Sequence, residues 1–232
     1  ILRFEMSAGS QKTFDGGLFA AFGRDDWSGD IAFQQSQTGG YIPAAQRERG
    51  IGDSRAGSRF RNGIFRVARR FGNDSRLFVR GNLFDEKRDN GTSLTNNGTY
   101  FRQFSVGADV EGFRFRAFLE RQTYDQTFSA ISNNRNTETL SRIQRVPSQA
   151  FGANLAWSGA IGSRNTVSLF AEFRDAKGFS NEQVYAGGRV TTFIGSGGAQ
   201  RSFGVFAQDI WQATKNLNIS ASGRLDHFSD YI

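Results

Sequence analysis

Cysteine is absent from the 232-residue chain and histidine occurs once, as His227. No disulfide framework and no thiolate metal site can therefore form. A lone histidine cannot build a His-rich zinc centre. No apolar run approaches the roughly 18 residues of a membrane helix. No segment reads as a signal peptide, and Ile1 and Ile232 both sit in strand-like runs, so the chain reads as part of a longer protein. Proline occurs twice, against 28 glycines and 24 phenylalanines. Mean hydropathy is −0.49. So low a value with so much phenylalanine implies that apolar residues occupy one face only. The net charge of +7, carried almost wholly by arginine, points to anionic partners without choosing among nucleic acid, lipopolysaccharide and a small anionic ligand.

What is present is alternation. In FRFRAFLERQTYD (113–125), Phe113, Phe115, Ala117 and Leu119 share one parity, and Arg114, Arg116, Glu120 and Gln122 the other. This is the period of a β-strand. The same pattern recurs at 2–8, 30–36, 76–83, 103–110, 151–158, 167–174 and 217–225, and less cleanly at 14–22, 59–71 and 200–212. About eleven strands result, most of about 9–13 residues, the length of a tilted membrane strand. Short connections at 23–26, 72–75, 111–112, 159–164 and 213–216 alternate with long polar ones at 38–58, 87–98, 126–147 and 176–199. Only the first hairpin, near Ser10 to Thr13, is short on the long side.

Trp27, Phe71, Phe113, Trp157 and Trp211 each lie beside a short turn on the apolar parity. That predicts an aromatic girdle at one membrane rim. An arginine facing lipid at mid-bilayer costs about 2–4 kcal/mol. Arg114 and Arg116 must then face water while the phenylalanines face lipid. The expected fold is all-β: residues 1–232 form part of an antiparallel transmembrane β-barrel, about eleven strands of a larger one, with no plug domain. A soluble antiparallel sheet explains any one strand equally well. It does not explain the sorted connections or the one-sided girdle.

The run RSFGVFAQDIWQATKNLNISASGRLDHFSDY (201–231) resembles TonB-dependent outer-membrane receptors through Phe206, Ala207, Gln208, Asp209, Trp211, Leu217, Gly223, Arg224 and Asp226. GGYIPAAQRERGIGD (39–53) is similar to a long early barrel loop of that family. The resemblance implies about 22 strands around an N-terminal plug. It also implies uptake of a scarce ligand such as a ferric siderophore, haem or cobalamin, driven through TonB by parts outside this chain. It implies a bacterial outer-membrane setting, with lipids and lipopolysaccharide as surroundings.

No catalytic constellation stands out, no cofactor is implied, and the chain does not read as an enzyme. GSGG (195–198) lacks the Lys-Ser/Thr of a phosphate loop. SNNRNTET (132–139) reads as a surface loop more readily than as a ligand loop. Arg80, Arg114, Arg116, Glu120 and Arg174 line the lumen by parity, where a plug is the first partner to expect. Tyr41, Arg47, Arg49 and Arg55 are loop candidates for a small anionic or metal-chelate ligand, or for lipopolysaccharide phosphates. Asp209 has outward parity beside Trp211, at a depth where an acid costs little, or at a bulge. Nucleic-acid binding is disfavoured, because phenylalanine and arginine lie on opposite faces and form no stacking platform. A plug-free porin and a surface or soluble sheet protein stay open as alternatives.

Overall fold

The computed structural model describes residues 1–72 and 75–231. It consists of eleven antiparallel strands in one sheet, in chain order. They are β1 (Leu2–Gly9), β2 (Thr13–Arg24), β3 (Trp27–Tyr41), β4 (Ala56–Phe71), β5 (Ser75–Thr92), β6 (Thr95–Val110), β7 (Phe113–Ile131), β8 (Glu138–Ile161), β9 (Asn165–Ala186), β10 (Arg189–Thr214) and β11 (Leu217–Tyr231). Each strand pairs with its sequence neighbours, and β1 does not pair with β11, so the sheet is not closed. The expected all-β meander is therefore present, including the three segments whose alternation is least clean.

Register sorts the side chains. Ile31 lies opposite Phe65, Val79 opposite Val106, Phe115 opposite Leu155, and Val205 opposite Leu225. One face is apolar across all eleven strands, and it is exposed. Among the described residues the only buried apolar side chains are Ala68 and Ala150. This sheet makes no core of its own; its apolar face needs cover from outside.

Two features differ from the sequence expectation. The strands reach 19, 24, 22 and 26 residues in β7 to β10. Three of the four segments read as long loops are mostly strand. The segment 87–98 is a hairpin turning at 93–94, 126–147 turns at 132–137, and 176–199 turns at Gly187–Gly188. Both of those glycines have positive φ, 57° and 78°, as a two-residue hairpin turn of matching twist requires. These polar segments hold together by ladder hydrogen bonds, which need no apolar face. Only 42–55 is a true loop, and it carries a short 3-10 turn at Gln46–Glu48. The asymmetry between the two ends persists as hairpin length. Of the short turn at 72–75, Asn73 and Asp74 lie outside the described residues, as does Ile232.

Phenylalanines lie over glycines of the neighbouring strand. Phe118 covers Gly152 on the polar face, and Phe65 covers Gly81 on the apolar one. A Cβ at Gly152 would stand 2.6 Å from Phe118 Cζ. Gly152→Val is expected to destabilise the full-length protein by about 1–3 kcal/mol through overpacking. Thermal unfolding in detergent measures this, and Phe118→Ala in the same chain should recover part of the loss.

Candidate functional site

The polar face is laced with ion pairs, most of them between strands. Arg66 meets Asp30 at 2.7 Å, Arg116 meets Asp109 at 2.6 Å, and Arg142 meets Glu182 at 2.9 Å. Arg224 bridges Asp226 at 2.8 Å and also contacts Glu172. Such partly exposed pairs set direction more than they add stability. All five sequence-predicted wall residues lie on this face. Arg116 is held by Asp109 and by the carbonyl of Ala108, with its guanidinium 4.9 Å from the Phe78 ring centre. Glu120 accepts a hydrogen bond from Gln103 at 3.2 Å. Arg80, Arg114 and Arg174 are exposed.

Glu120 and Arg174 are brought together. They border a trough of about 710 Å³ on β7 to β11, floored by Ala150, Ala176 and Gly178. Its depth comes from small residues in adjacent register: Ala150 lies opposite Ala176, and Ser148 opposite Gly178, which faces Gly198. Gln200 donates to Asp230 at 3.1 Å on its far side. Arg80 stands on β5 and Arg114 near the start of β7, and neither joins it.

A second assembly sits at the long-hairpin end, where three connections are tied into one cap. The Arg135 Nε donates to both Asp53 carboxylate oxygens at 2.9 Å. Gly50 N donates to Asp53 at 2.8 Å, Gly52 N to the Arg135 carbonyl at 2.8 Å, and Ile51 N to Asn136 at 3.0 Å. Ser54 N reaches the Gly91 carbonyl at 2.9 Å. Glu138 accepts from Ser93 Oγ at 2.9 Å and Leu94 N at 3.1 Å. The Arg135 hydrogen bonds and that of Gly50 outweigh desolvation and lower the Asp53 pKa to about 2. The Asp53 side chain is 2% exposed. Gly50 and Gly52 are needed for the approach: a Cβ at Gly52 would stand 2.9 Å from the Arg135 carbonyl oxygen.

The loop candidates divide. Arg49 donates to the Ala44 and Ile42 carbonyls, and Arg55 to that of Gly40 at 2.9 Å, so both brace their own loop. Tyr41 is 66% exposed, and Arg47 is exposed beside Glu48. The Asp53–Arg135 clasp escapes sequence reading because its partners are 82 residues apart; only the glycine spacing in RGIGD hints at a close contact. Asp209 accepts from Asn165, the cross-strand partner of Trp211, at 2.6 Å, and the β10–β11 bulge falls later, between Gln212 and Thr214. The girdle residues are on the apolar face. Phe113 and Trp157 are direct partners with rings 6.3 Å apart, and Arg69 lies over both Trp27 and Phe71 at 5.2 and 4.7 Å.

A long antiparallel meander, apolar on one face and ion-paired on the other, is a section of β-barrel wall. The chain belongs to the TonB-dependent receptor-like β-barrel family, whose model matches residues 14–231. Members of that family are transporters, not enzymes. No curated protein matches the chain. Among solved structures it is similar to Pseudomonas aeruginosa FpvA bound to heterologous pyoverdines, with a TM-score of 0.65 and 11% identity over 99% of this chain and 37% of that one. It is similar to the ferric-catecholate import receptor Fiu of Escherichia coli K12, with a TM-score of 0.68 and 13% identity over 98% and 41%. The copper transporter OprC gives a TM-score of 0.69 and 14% identity over 99% and 38%. The chain thus spans about two-fifths of each.

Asp53→Asn is expected to loosen the cap. Trypsin should then cut after Arg47 or Arg49 several times faster in the folded full-length protein at neutral pH. An unchanged rate removes the clasp from this account. In the unaltered protein the folded pKa of Asp53 lies below its ordinary value of 3.8. The clasp therefore contributes fully above about pH 4 and is lost as pH falls through about 2. Hydrogen exchange of the Gly50–Gly52 amides across that range reads the loss.

Proposed function

We propose that this chain is the barrel wall of a TonB-dependent outer-membrane receptor that takes up a scarce ligand in an energised step. The observation that carries this reading is the continuous apolar face in matched register, which calls for lipid where a soluble sheet would call for a second layer. Family membership agrees with it. On this reading residues 1–232 supply wall only, and the plug and the TonB-contacting segment belong to other parts of the whole protein.

The polar face is then the lumen. Arg80, Arg114, Arg116, Glu120 and Arg174 face the plug, and the trough between Glu120 and Arg174 receives part of it. The cap, with exposed Tyr41 and Arg47, faces the medium, where a small anionic or metal-chelate ligand arrives. Trp27, Phe71, Phe113, Trp157 and Trp211 form the girdle at the periplasmic rim, and lipids and lipopolysaccharide cover the apolar face. The similar structures are named for ferric-catecholate import, copper transport, pyoverdine complexes and peptide transport. A metal carried with or without an organic chelator is the cargo class this reading takes first. Siderophore, haem and cobalamin all belong to its chelated form.

The deciding experiment is uptake of labelled ferric siderophores, copper, haem and cobalamin by cells carrying the full-length protein, with and without a functional TonB. Uptake of one cargo that collapses without TonB supports the reading. Entry that rises with concentration and ignores TonB overturns it in favour of a plug-free channel. The lipid-facing assignment has its own check. Val106→Arg on the apolar face should cost about 2–4 kcal/mol in lipid vesicles. Gln103→Arg, opposite Glu120 on the polar face, should change stability by about 0.5 kcal/mol or less. Denaturant unfolding of the full-length protein compares the two.

A further inference from the structure

We propose that the β9–β10 hairpin past Gly178 is a hinged arm, which swings as one piece against a cap that stays fixed, with Glu182 as its latch. The inference uses strand pairing alone and holds whatever the barrel carries.

Three strands loosen at one level. The β8–β9 ladder runs without a break from Ile161 and Asn165 up to Ser148 and Gly178, skips Val146 and Pro147, and resumes at Arg145 and Asn181 for four rows. Pro147 is one of only two prolines in the chain, and it has no N–H to give to a ladder. The same register sets Phe179 and Ser180 beside this gap, and their partners on β10 are Gly197 and Ser196. Gly178 pairs with Gly198 on one side of them, and Asn181 with Gly195 on the other. The run GSGG (195–198), which lacks the residues of a phosphate loop, therefore lies across the gap.

Two of its glycines answer to no local demand. A Cβ at Gly197 would stand 2.5 Å from Phe179 Cδ1, so that glycine makes room for a ring. A Cβ at Gly195 or Gly198 would meet nothing within 4 Å, and neither residue has a positive φ. Where neither space nor a turn calls for it, what glycine gives a strand is a looser backbone. The β9–β10 ladder itself continues through this level, so the hairpin bends as a unit.

Past the gap the arm is held to β8 by those four rows and by one cluster of side chains. Glu182 accepts from Arg142 at 2.9 Å and from Gln144 at 2.7 Å, and Gln144 also donates to Ser180 at 3.0 Å. The Arg142 side chain is 42% exposed, and so open an ion pair is weak enough to break and reform. The ladder bonds at this water-exposed end are exchanged for bonds to water, so each has a small net worth. The other side is fixed, because Glu138 and Arg135 tie the β7–β8 hairpin into the cap. Among the described residues no hydrogen bond joins 179–198 to the connections at 42–55, 92–95 or 131–138. The arm instead forms one side of a groove of about 590 Å³, with Gln183 and Phe193 on the arm and Asn96, Thr127 and Ile143 on its neighbours. Its swing sets the width of that groove.

The test uses the full-length protein in detergent micelles, spin-labelled in pairs and read by double electron–electron resonance. One pair joins arm to cap, Ala186→Cys with Arg47→Cys. A second pair lies within the fixed side, Arg47→Cys with Asn90→Cys. The expected result is two distances for the first pair and one for the second. Glu182→Gln should raise the minor population of the first pair several-fold. Gly195→Val with Gly198→Val, which places both side chains in open space, should leave one distance and a Tm no lower than that of the unaltered protein. A single distance for the first pair in both the unaltered protein and Glu182→Gln overturns the proposal. A second distance that survives in the valine variant overturns it too, as does an equal spread in the second pair.

Discussion

The structure depends on one constraint, the register of antiparallel pairing. Side chains alternate with a period of two, so a slip of one residue in any strand would move its whole apolar set to the other face. In β7 such a slip would put Arg114, Arg116 and Glu120 where Phe115, Ala117 and Leu119 stand. At mid-bilayer each arginine so displaced costs about 2–4 kcal/mol, a large share of the net stability of a whole domain. With only Ala68 and Ala150 buried among its described apolar side chains, the sheet has no interior packing that could oppose a slip. Pairing, tight turns and the difference between the two faces must hold the register together. Phenylalanines laid over glycines add to this, since Phe118 fits above Gly152 and would not fit above a residue with a Cβ.

The same constraint explains what is legible in the sequence. Parity is local, so the alternation in 113–119 or 167–173 can be read without any partner. Two of the three less regular strands, β4 and β10, carry a charge on the outward face at the edge of the apolar band. Arg61 and Arg69 do this in β4, and Asp209 in β10. Parity there is intact, and the hydropathy pattern breaks because the environment changes along the strand. The long hairpins were hidden for a related reason. Residues 126–131 and 138–147 mix polar and apolar side chains without a clean alternation, and such a stretch resembles loop until a cross-strand partner is known. What holds them is the pairing of Asp125 with Arg145 and of Thr127 with Ile143, information that lies in two segments at once. The Asp53–Arg135 clasp is the extreme case.

The positive charge of the chain acquires a meaning once the faces are separated. On the polar face arginine is largely answered by acid: Asp30 by Arg66, Asp109 by Arg116, Glu182 by Arg142, and Glu172 with Asp226 by Arg224. In the cap, Arg135 is answered by Asp53, while Arg49 and Arg55 are answered by carbonyls. The cations left over include Arg59, Arg61, Lys87, Arg121 and Lys177 on the outward side of β4 to β9, toward the long hairpins. A net charge of +7 is therefore not spread evenly, and it is not chiefly a property of the lumen. That distribution follows from the sorting of the two faces: paired charge on the polar face, and unpaired charge toward one end of the apolar one.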